Sequence, residues 1–151
     1  MKLVTPLTVI SVLVRDQDEA LKFYTEKLGL EKRIDITYGP GLRLLTVASK
    51  GQQRPQLALA QPDIALHGEE HVNELIASMR QEVSWIFDTK NCDETYKILL
   101  SRGVKFVSAP TRQLYGVEAI FEDPYGNTFS LLEAVPEAGA LFIGLRIGTA
   151  A

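Results

Sequence analysis

The sequence contains two histidines, His67 and His71, which stand four residues apart. Residues at this spacing share one face of a helix, and two such imidazoles bind zinc in a metalloprotease motif. That motif also requires a glutamate directly after the first histidine, where this chain has Gly68. Since the surrounding stretch is polar and connects more apolar segments, the sequence favours a solvated helix start over a metal site.

The single cysteine, Cys92, follows Asn91 at the predicted start of a helix. A helix N-terminus can lower the pKa of a thiol and make it reactive, but no positioned base is evident in the sequence. The pattern favours a surface or helix-packing thiol. A lone cysteine also excludes an intramolecular disulfide, and a cytoplasmic location is expected.

Length and charge restrict the possible partners. A chain of 151 residues with 46% apolar residues can form one compact domain with its own core. A formal net charge of −3 gives no long-range attraction to nucleic acid or to an anionic membrane. The N-terminal apolar run is interrupted by Thr5, Pro6, Thr8 and Ser11, so we do not interpret it as a signal peptide. We expect no nucleic-acid or membrane partner, and a small-molecule ligand or substrate instead.

Apolar periodicity and turn residues divide the chain into strands and helices. One helix is predicted to begin after Asp16 and to end before Gly29, and another to begin after Asn91 and to end before Gly103. The sequence Asp-Pro-Tyr-Gly-Asn at 123–127 predicts a tight turn, because proline presets one turn dihedral and glycine and asparagine tolerate a positive φ. The other predicted elements are strands at 7–14, 30–38, 42–48, 56–60, 83–88 and 105–108, a linking helix at 67–80, and the two strands of a hairpin within 116–133.

The predicted elements occur twice in the same order. Asp16 and Asn91, the two helix caps, are 75 residues apart, and Gly41 and Gly116 keep this offset. Agreement of element order and turn residues favours an internal duplication of a βαβββ unit over coincidence.

Two stretches carry a resemblance to a known group of proteins. They are VRDQDEALKFYTEKLGL at 14–30 and FEDPYGNTFSL at 121–131. Together with the repeat, they resemble the vicinal oxygen chelate superfamily, which includes glyoxalases, bleomycin resistance proteins and extradiol dioxygenases. The resemblance implies an α+β fold of two tandem βαβββ modules forming a cup-shaped mixed β-sheet. It also implies a single domain at 1–135, with modules at about 1–62 and 82–135, a linker at 63–81 and a C-terminal tail at 136–151.

Metal-using members of this superfamily hold a divalent cation on strand residues that face into the cup. By resemblance, the ligand positions fall on Val9, Ser84 and Ser130, and the remaining one on Gln56 or Leu57. Valine cannot bind a metal, and a neutral serine is a poor ligand. We therefore expect no metal and no other cofactor.

The same resemblance predicts which side chains line the cup. Alternation along the strands places Glu118 and Ser130 on one face. Glu118 is the candidate catalytic base, and Arg43, which the repeat sets in correspondence to Glu118, could hold a carboxylate or enolate-like oxygen. The alternative is that these two residues pair with each other or lie at a solvated rim. The predicted ligand-binding residues are Ser11, Arg43, Ser84, Glu118 and Ser130, above an apolar floor of Val9, Leu13, Leu45, Ile86, Ile120 and Leu132.

Two functions remain open at this stage. The first is a metal-independent protein of the glyoxalase/bleomycin resistance type that binds a small organic molecule, as an enzyme or as a binding protein. The second is a metal-dependent lyase, isomerase or dioxygenase with a ligand set rebuilt from Gln56 and Glu118. Tyr115 is expected at the cup mouth or in an exposed loop, and Trp85 under a helix or against a ligand. We further expect a homodimer, with the apolar tail docked on its own domain or on the partner subunit.

Overall fold

The computed structural model describes residue 3 and residues 7–62, 68–78 and 83–135 of the chain. It divides into two compact units, Met1–Arg80 with Asp123–Asn127, and Gln81–Glu122 with Thr128–Ala151. The helices are α1 (Gln17–Lys22, continued by a π-helical turn at Phe23–Lys27), α2 (Glu69–Ser78) and α3 (Cys92–Ser101). The strands are β1 (Val9–Leu13), β2 (Glu31–Gly39), β3 (Leu42–Ala48), β4 (Gln56–Ala60), β5 (Val83–Asp88), β6 (Lys105–Gln113), β7 (Gly116–Glu122) and β8 (Thr128–Ala134).

The first unit contains a four-stranded mixed sheet in the order β1-β4-β3-β2. β1 runs parallel to β4, and the other pairs are antiparallel. Asp16 caps α1 by accepting a hydrogen bond from the backbone N–H of Glu19, as its sequence position predicts. Gln17 donates its side-chain N–H groups to the carbonyls of Arg43 and Leu59, so α1 is fixed against one face of this sheet.

The second unit repeats this architecture with the order β5-β8-β7-β6. Asn91 caps α3 through the N–H of Glu94, in the role that Asp16 has in the first unit. Aromatic rings fill the space between α3 and the sheet, because strands β5, β6, β7 and β8 direct alternate side chains toward the helix. The ring contacts join Phe87, Tyr96, Phe106, Phe121 and Phe129.

The predicted turn at 123–127 joins β7 to β8, but its residues belong to the first unit. Asp123 accepts hydrogen bonds from the N–H groups of Tyr125 and Asn127 and from the hydroxyl of Tyr24 at 2.7 Å. Asn127 donates its side-chain N–H to the carbonyl of Leu13 at 2.8 Å. The Asp-Pro-Tyr-Gly-Asn sequence therefore closes a hairpin and also attaches its tip to α1 and β1.

The two βαβββ modules confirm the predicted repeat and the α+β fold. The first predicted helix ends in a π-helical turn, and the last edge strand extends to Gln113 rather than stopping at Ser108. Pro110 is tolerated there because β6 lies at the edge of its sheet. The predicted docking of the tail at 136–151 lies outside the described residues.

Sheet register corrects the offset between the modules. Ser11 and Ile86, 75 residues apart, occupy the same position in the two parallel pairs, next to Ala58 and Ser130. On the next strand, Thr46 pairs with Ala58, and Ile120 pairs with Ser130, so the offset between β3 and β7 is 74 residues. The counterpart of Glu118 is therefore Leu44. The predicted correspondence with Arg43 is wrong by one residue, and a one-residue shift moves a strand side chain to the opposite face.

No helix in the described parts of the chain combines the length and the apolar character needed to cross a membrane.

Candidate functional site

Glu118 and Ser130 lie on one face of the second sheet, as the alternation along the hairpin predicts. Glu118 pairs with Leu132, and Ile120 pairs with Ser130, which in turn pairs with Ile86. Paired residues share a face, so these five side chains lie on the face opposite α3. We call this set the Glu118 face: Ile86, Glu118, Ile120, Ser130 and Leu132.

Two hydroxyl groups hold the carboxylate of Glu118. The hydroxyl of Tyr115 donates to Oε1 at 2.7 Å, and the hydroxyl of Ser130 donates to Oε2. Glu118 is only 9% exposed and Ser130 is fully buried. Since buried polar groups are costly unless they are hydrogen-bonded, these two bonds explain how an acidic side chain is accommodated here.

Ile86, Ile120 and Leu132 form an apolar surface on the same face as this carboxylate, and Thr111 is its partner on the edge strand β6. Ile86, which pairs with Ser130 on the neighbouring strand, is 40% exposed. Few convergent polar groups on an apolar surface are typical of small-molecule sites. Such a carboxylate can accept a hydrogen bond from a ligand or take a proton from it.

Tyr115 is the residue whose role the sequence left open. It lies in the two-residue turn between β6 and β7 and is half-buried, with its hydroxyl on Glu118. The sequence places it three residues before Glu118. Its contact depends on turn geometry that strand alternation does not describe.

Ser84 lies in β5 beside a shift in the register between β5 and β8. Its side chain lies outside the described part of the structure. Its predicted ligand-binding role stays a prediction.

In the first sheet, Ser11 is exposed and lies on the face opposite α1, together with Ala58 and Thr46. Thr46 is buried and donates its hydroxyl hydrogen to the side-chain oxygen of Gln56 at 2.6 Å. Val9, the partner of Gln56 on β1, shares this face and is partly exposed. Ser11 therefore shares a sheet face with Val9, as the alternation along β1 predicts, and its ligand-binding role stays a prediction.

Arg43 lies on the other face of the first sheet, in contact with α1. It is three residues from Thr46 on β3, so its side chain points to the opposite side. Its guanidinium binds both carboxylate oxygens of Asp35, at 2.8 and 2.9 Å, and one oxygen of Asp18 at 2.8 Å. These bonds raise the pKa of Arg43 and lower the pKa of Asp35.

The expectation that Arg43 shares a face with Ser11 is wrong because of the one-residue change in the offset between the modules. Leu45 is also displaced from the expected apolar floor for this reason.

Comparison with known proteins identifies the group to which this fold belongs. Residues 7–131 match the profile of the Glyoxalase/Bleomycin resistance protein/Dioxygenase superfamily. The chain belongs to this superfamily. The protein YurT of Bacillus subtilis (strain 168), described as uncharacterized, is 30% identical over 127 residues, covering 84% of this chain and 98% of that protein.

Solved structures of other proteins share this fold. The crystal structure of UcmS2 is similar with a TM-score of 0.80 and 34% identity, over 87% of this chain and all of that chain (100%). The structure of TnmS3, described as an antibiotic binding protein from Streptomyces sp. CB03234, has a TM-score of 0.70 and 26% identity, over 89% of this chain and 100% of that chain. The superfamily is defined by fold and includes several activities, so function must be argued from the site.

The residues at the metal-ligand positions of the superfamily do not fit a divalent cation. Val9 has no donor atom, the hydroxyl of Ser130 donates its hydrogen to Glu118, and the oxygen of Gln56 accepts one from Thr46. Among the described residues, no group of three or more His, Cys, Asp or Glu side chains is arranged to bind a metal ion. This donor chemistry differs from the carboxylate and imidazole ligands that divalent metals use in proteins.

Cys92 is a buried packing thiol, as the sequence favours. Its Sγ lies 3.6 Å from the carbonyl oxygen of Leu131, and its N–H donates to Glu133. Burial, with the nearby charges of Asp93 and Glu133, raises the pKa of the Cys92 thiol to about 11. A pKa lowered by the helix terminus, the alternative considered for this residue, is therefore wrong.

His71 is exposed on α2, with Nδ1 3.9 Å from Glu74, and His67 lies outside the described residues. Trp85 is partly exposed on β5 and pairs with Phe129, so it lies on the opposite sheet face from Ile86 and Glu118.

Proposed function

We propose that this superfamily member binds a small organic molecule at the Glu118 face, without the metal site of the metal-using members. One observation carries the proposal: a nearly buried carboxylate, which accepts hydrogen bonds from the hydroxyls of Tyr115 and Ser130, shares a sheet face with the apolar side chains of Ile86, Ile120 and Leu132. These hydrogen bonds lower the cost of burying the carboxylate and hold it in place beside an apolar surface, as is typical of small-molecule sites.

The solved relatives support a binding role. TnmS3 is described as an antibiotic binding protein, and the superfamily name includes bleomycin resistance. We therefore propose that the ligand belongs to the class of antibiotics and similar organic natural products. The candidate catalytic role of Glu118 is kept as part of this proposal: Glu118→Gln separates the two versions, because an enzyme would lose turnover and keep binding.

The binding proposal is tested by thermal shift and calorimetry against a panel of antibiotics. A ligand at 100 times its Kd adds about 2.7 kcal/mol to the free energy of unfolding. We expect Ile86→Glu to abolish this stabilisation, because a charge on the exposed edge of the Glu118 face opposes an apolar ligand. The matched control is Ile98→Glu on α3, where the isoleucine is 44% exposed.

The expected result is unchanged ligand stabilisation in the Ile98→Glu protein and none in the Ile86→Glu protein. Equal stabilisation of both variants would place the ligand elsewhere and contradict the proposal. Circular dichroism of both variants without ligand checks that each retains its fold.

The metal-dependent alternative is tested by elemental analysis of protein purified without chelators. We expect less than stoichiometric Zn, Mn, Fe, Ni and Co, because the donor set lacks carboxylate and imidazole groups at the positions that would hold the metal. A stoichiometric metal, removed by chelation together with ligand binding or activity, would overturn metal independence.

A homodimer and a cytoplasmic location are further parts of the proposal. Multi-angle light scattering of the full chain distinguishes a dimer from a monomer. Localisation of a tagged chain in its host tests the second part.

A further inference from the structure

We propose that residues 141–147 of this chain dock on the open side of the Glu118 face, with Arg146 beside Asp88. The open side consists of Ile86 and Asp88. The docking segment has the sequence LFIGLRI and lies outside the described residues. This inference goes beyond the proposed function, because it assigns an occupant from the chain itself to that face and requires no ligand.

The open side belongs to β5, which is an edge strand of the second sheet. Ile86 is 40% exposed, whereas Ser130 and Leu132 on the neighbouring strand are buried. Asp88 pairs with Leu132, so its side chain lies on the same face as Ile86, and it is exposed. This edge therefore presents an apolar side chain and a carboxylate two residues apart.

The path of the chain brings the segment to this edge. β8, which lies next to β5, ends at Ala134, two residues beyond the partner of Asp88. The end of β8 is therefore about 8 Å from Asp88, given the usual rise along a strand and the usual spacing between strands. Residues 136–140 can span up to about 17 Å, and Pro136 favours a turn. The docking segment reaches the open side without being stretched.

Charge selects this side of β5 over the other. Trp85, which is also partly exposed, lies on the face toward α3, where the described side chains of β5 carry no charge. No ion pair joins Asp88 to another described residue. Arg146 is the only lysine or arginine in residues 136–151. A segment that carries one positive charge among apolar residues matches a surface that combines a carboxylate with an isoleucine.

The apolar contact and the ion pair contribute differently to docking. Apolar surface removed from water is stabilising in proportion to its area, whereas an exposed ion pair changes an equilibrium constant by at most about 5-fold. We therefore expect Phe142 and its apolar neighbours to supply most of the affinity. The pair between Arg146 and Asp88 determines how the segment lies on the face.

A spin label on the full chain tests the placement directly. The label is attached at Thr149→Cys in the ¹⁵N-labelled protein without ligand, and the broadening of amide signals is measured by NMR. Cys92 is buried, with a thiol pKa of about 11, so it should remain unlabelled, and mass spectrometry of the treated wild-type protein checks this. We expect the strongest broadening at the amides of β5 around Ile86 and Asp88. The control label at Ser101→Cys, exposed on α3, should instead broaden α3.

Variants of the labelled protein separate the two contributions. We expect Phe142→Glu to abolish the broadening of β5 and Arg146→Glu to reduce it by at least about two-fold. Adding Asp88→Lys to Arg146→Glu should restore it, because the charges are then exchanged. Lys90→Glu, at an exposed position near the end of β5, is the matched control and should not restore it.

Absence of broadening on β5 in the Thr149→Cys protein overturns the inference, and so does stronger broadening of α3. Failure of the exchanged charges to restore the broadening contradicts the pairing of Arg146 with Asp88. A mixture of spin-labelled unenriched chain with unlabelled ¹⁵N chain identifies the remaining occupant. Broadening of β5 in that mixture would show docking on a second copy and would also overturn the inference.

The proposed function is tested separately, because these measurements contain no ligand. Antibiotics that stabilise the chain in an Ile86-dependent manner support the proposed function even if β5 is not broadened. Where both hold, segment and ligand compete for one face, and Phe142→Glu should bind the antibiotic more tightly than the wild-type protein.

Discussion

At Glu118, strand and turn geometry bring two hydroxyl groups into hydrogen-bonding contact with a nearly buried carboxylate. The carboxylate, the Ser130 hydroxyl and the Tyr115 hydroxyl come from two strands and a turn, and each satisfies a group that would be costly to bury alone. Cys92 shows the opposite outcome. Its position at a helix start suggests a reactive thiol, whereas its burial makes the thiol unreactive.

The raised pKa of Cys92 leads to a prediction about its reactivity. Because the folded pKa is about 11, the thiolate is scarce at pH 7 to 9, and the nucleophile in alkylation is the thiolate. We expect iodoacetamide to modify the native protein at least about 100-fold more slowly than a free thiol, from the combination of burial and a raised pKa.

The rate of alkylation, followed by mass spectrometry at pH 8, checks this prediction. The denatured chain is the control and should react at the rate of a simple thiol. Rapid modification of the folded protein at this pH would contradict the burial of Cys92.

At the scale of elements, the turn between β6 and β7 determines where Tyr115 stands. Gly116, the first residue of β7, has a φ of +145°, and a Cβ there would lie 2.1 Å from the carbonyl oxygen of Glu133. The close approach of β7 to β8 at this point thus requires glycine.

We expect Gly116→Ala to destabilise the protein by about 1–3 kcal/mol, because the added Cβ meets backbone that must move. Gly39→Ala is the control: among the described residues, no atom lies within 4 Å of the Cβ position at Gly39. Its effect should stay within about 1 kcal/mol. Urea unfolding compares the two variants, and equal stabilities would show that β7 and β8 are not so close at Gly116.

Local patterns were sufficient to predict most helices and strands and the sheet face that Glu118 and Ser130 share. The caps at Asp16 and Asn91 and the shared face of Glu118 and Ser130 follow from spacing within one helix or one hairpin. The placement of Arg43 depended on comparing two modules whose helical segments differ in length by one residue, and this difference places Arg43 on the opposite sheet face from the one predicted. Tyr115 escaped prediction as a partner of Glu118, because turn conformation rather than strand period brings their side chains together.

At the scale of the whole molecule, the β7–β8 hairpin is divided between the two units. Its strands belong to the second unit, and its turn, Asp123–Asn127, belongs to the first. The chain passes into the first unit at Asp123 and returns to the second at Thr128. Burial raises the pKa of Asp123, and the bonds from Asn127 and Tyr24 oppose that rise. The strands that flank this turn, β7 and β8, are the central strands of the second sheet.

We expect Tyr24→Phe to lower the free energy of unfolding by about 1–3 kcal/mol, because Asp123 loses a buried hydrogen-bond donor. That bond favours the ionised form, so the variant raises the folded pKa of Asp123 further. The stability that a raised pKa provides is present at low pH and is lost as pH rises through the folded pKa. The deficit of the variant should therefore be larger at pH 7 than at pH 4.

Two probes of unfolding test whether the turn couples the units. Fluorescence of Trp85, the only tryptophan, reports the second unit, and far-ultraviolet circular dichroism reports the whole chain. We expect Tyr24→Phe to shift both midpoints equally, although Tyr24 lies in the first unit. Tyr96→Phe, whose ring packs on Phe106, is the control and should change stability less. A Trp85 midpoint that stays at the wild-type value would contradict coupling.

The unequal offset between the two modules has an evolutionary consequence. After a gene duplication, the gain or loss of one residue before β3 exchanges the whole set of side chains that this strand presents to each side. Leu44 and Glu118 occupy equivalent positions in the two sheets, whereas the side chain of Arg43 lies on the sheet face that contacts α1. The two halves of such a protein can therefore acquire different recognition surfaces through a change in the length of the helical segment, before any substitution occurs, and the segment between Asp16 and Glu31 is where a designer would vary that choice.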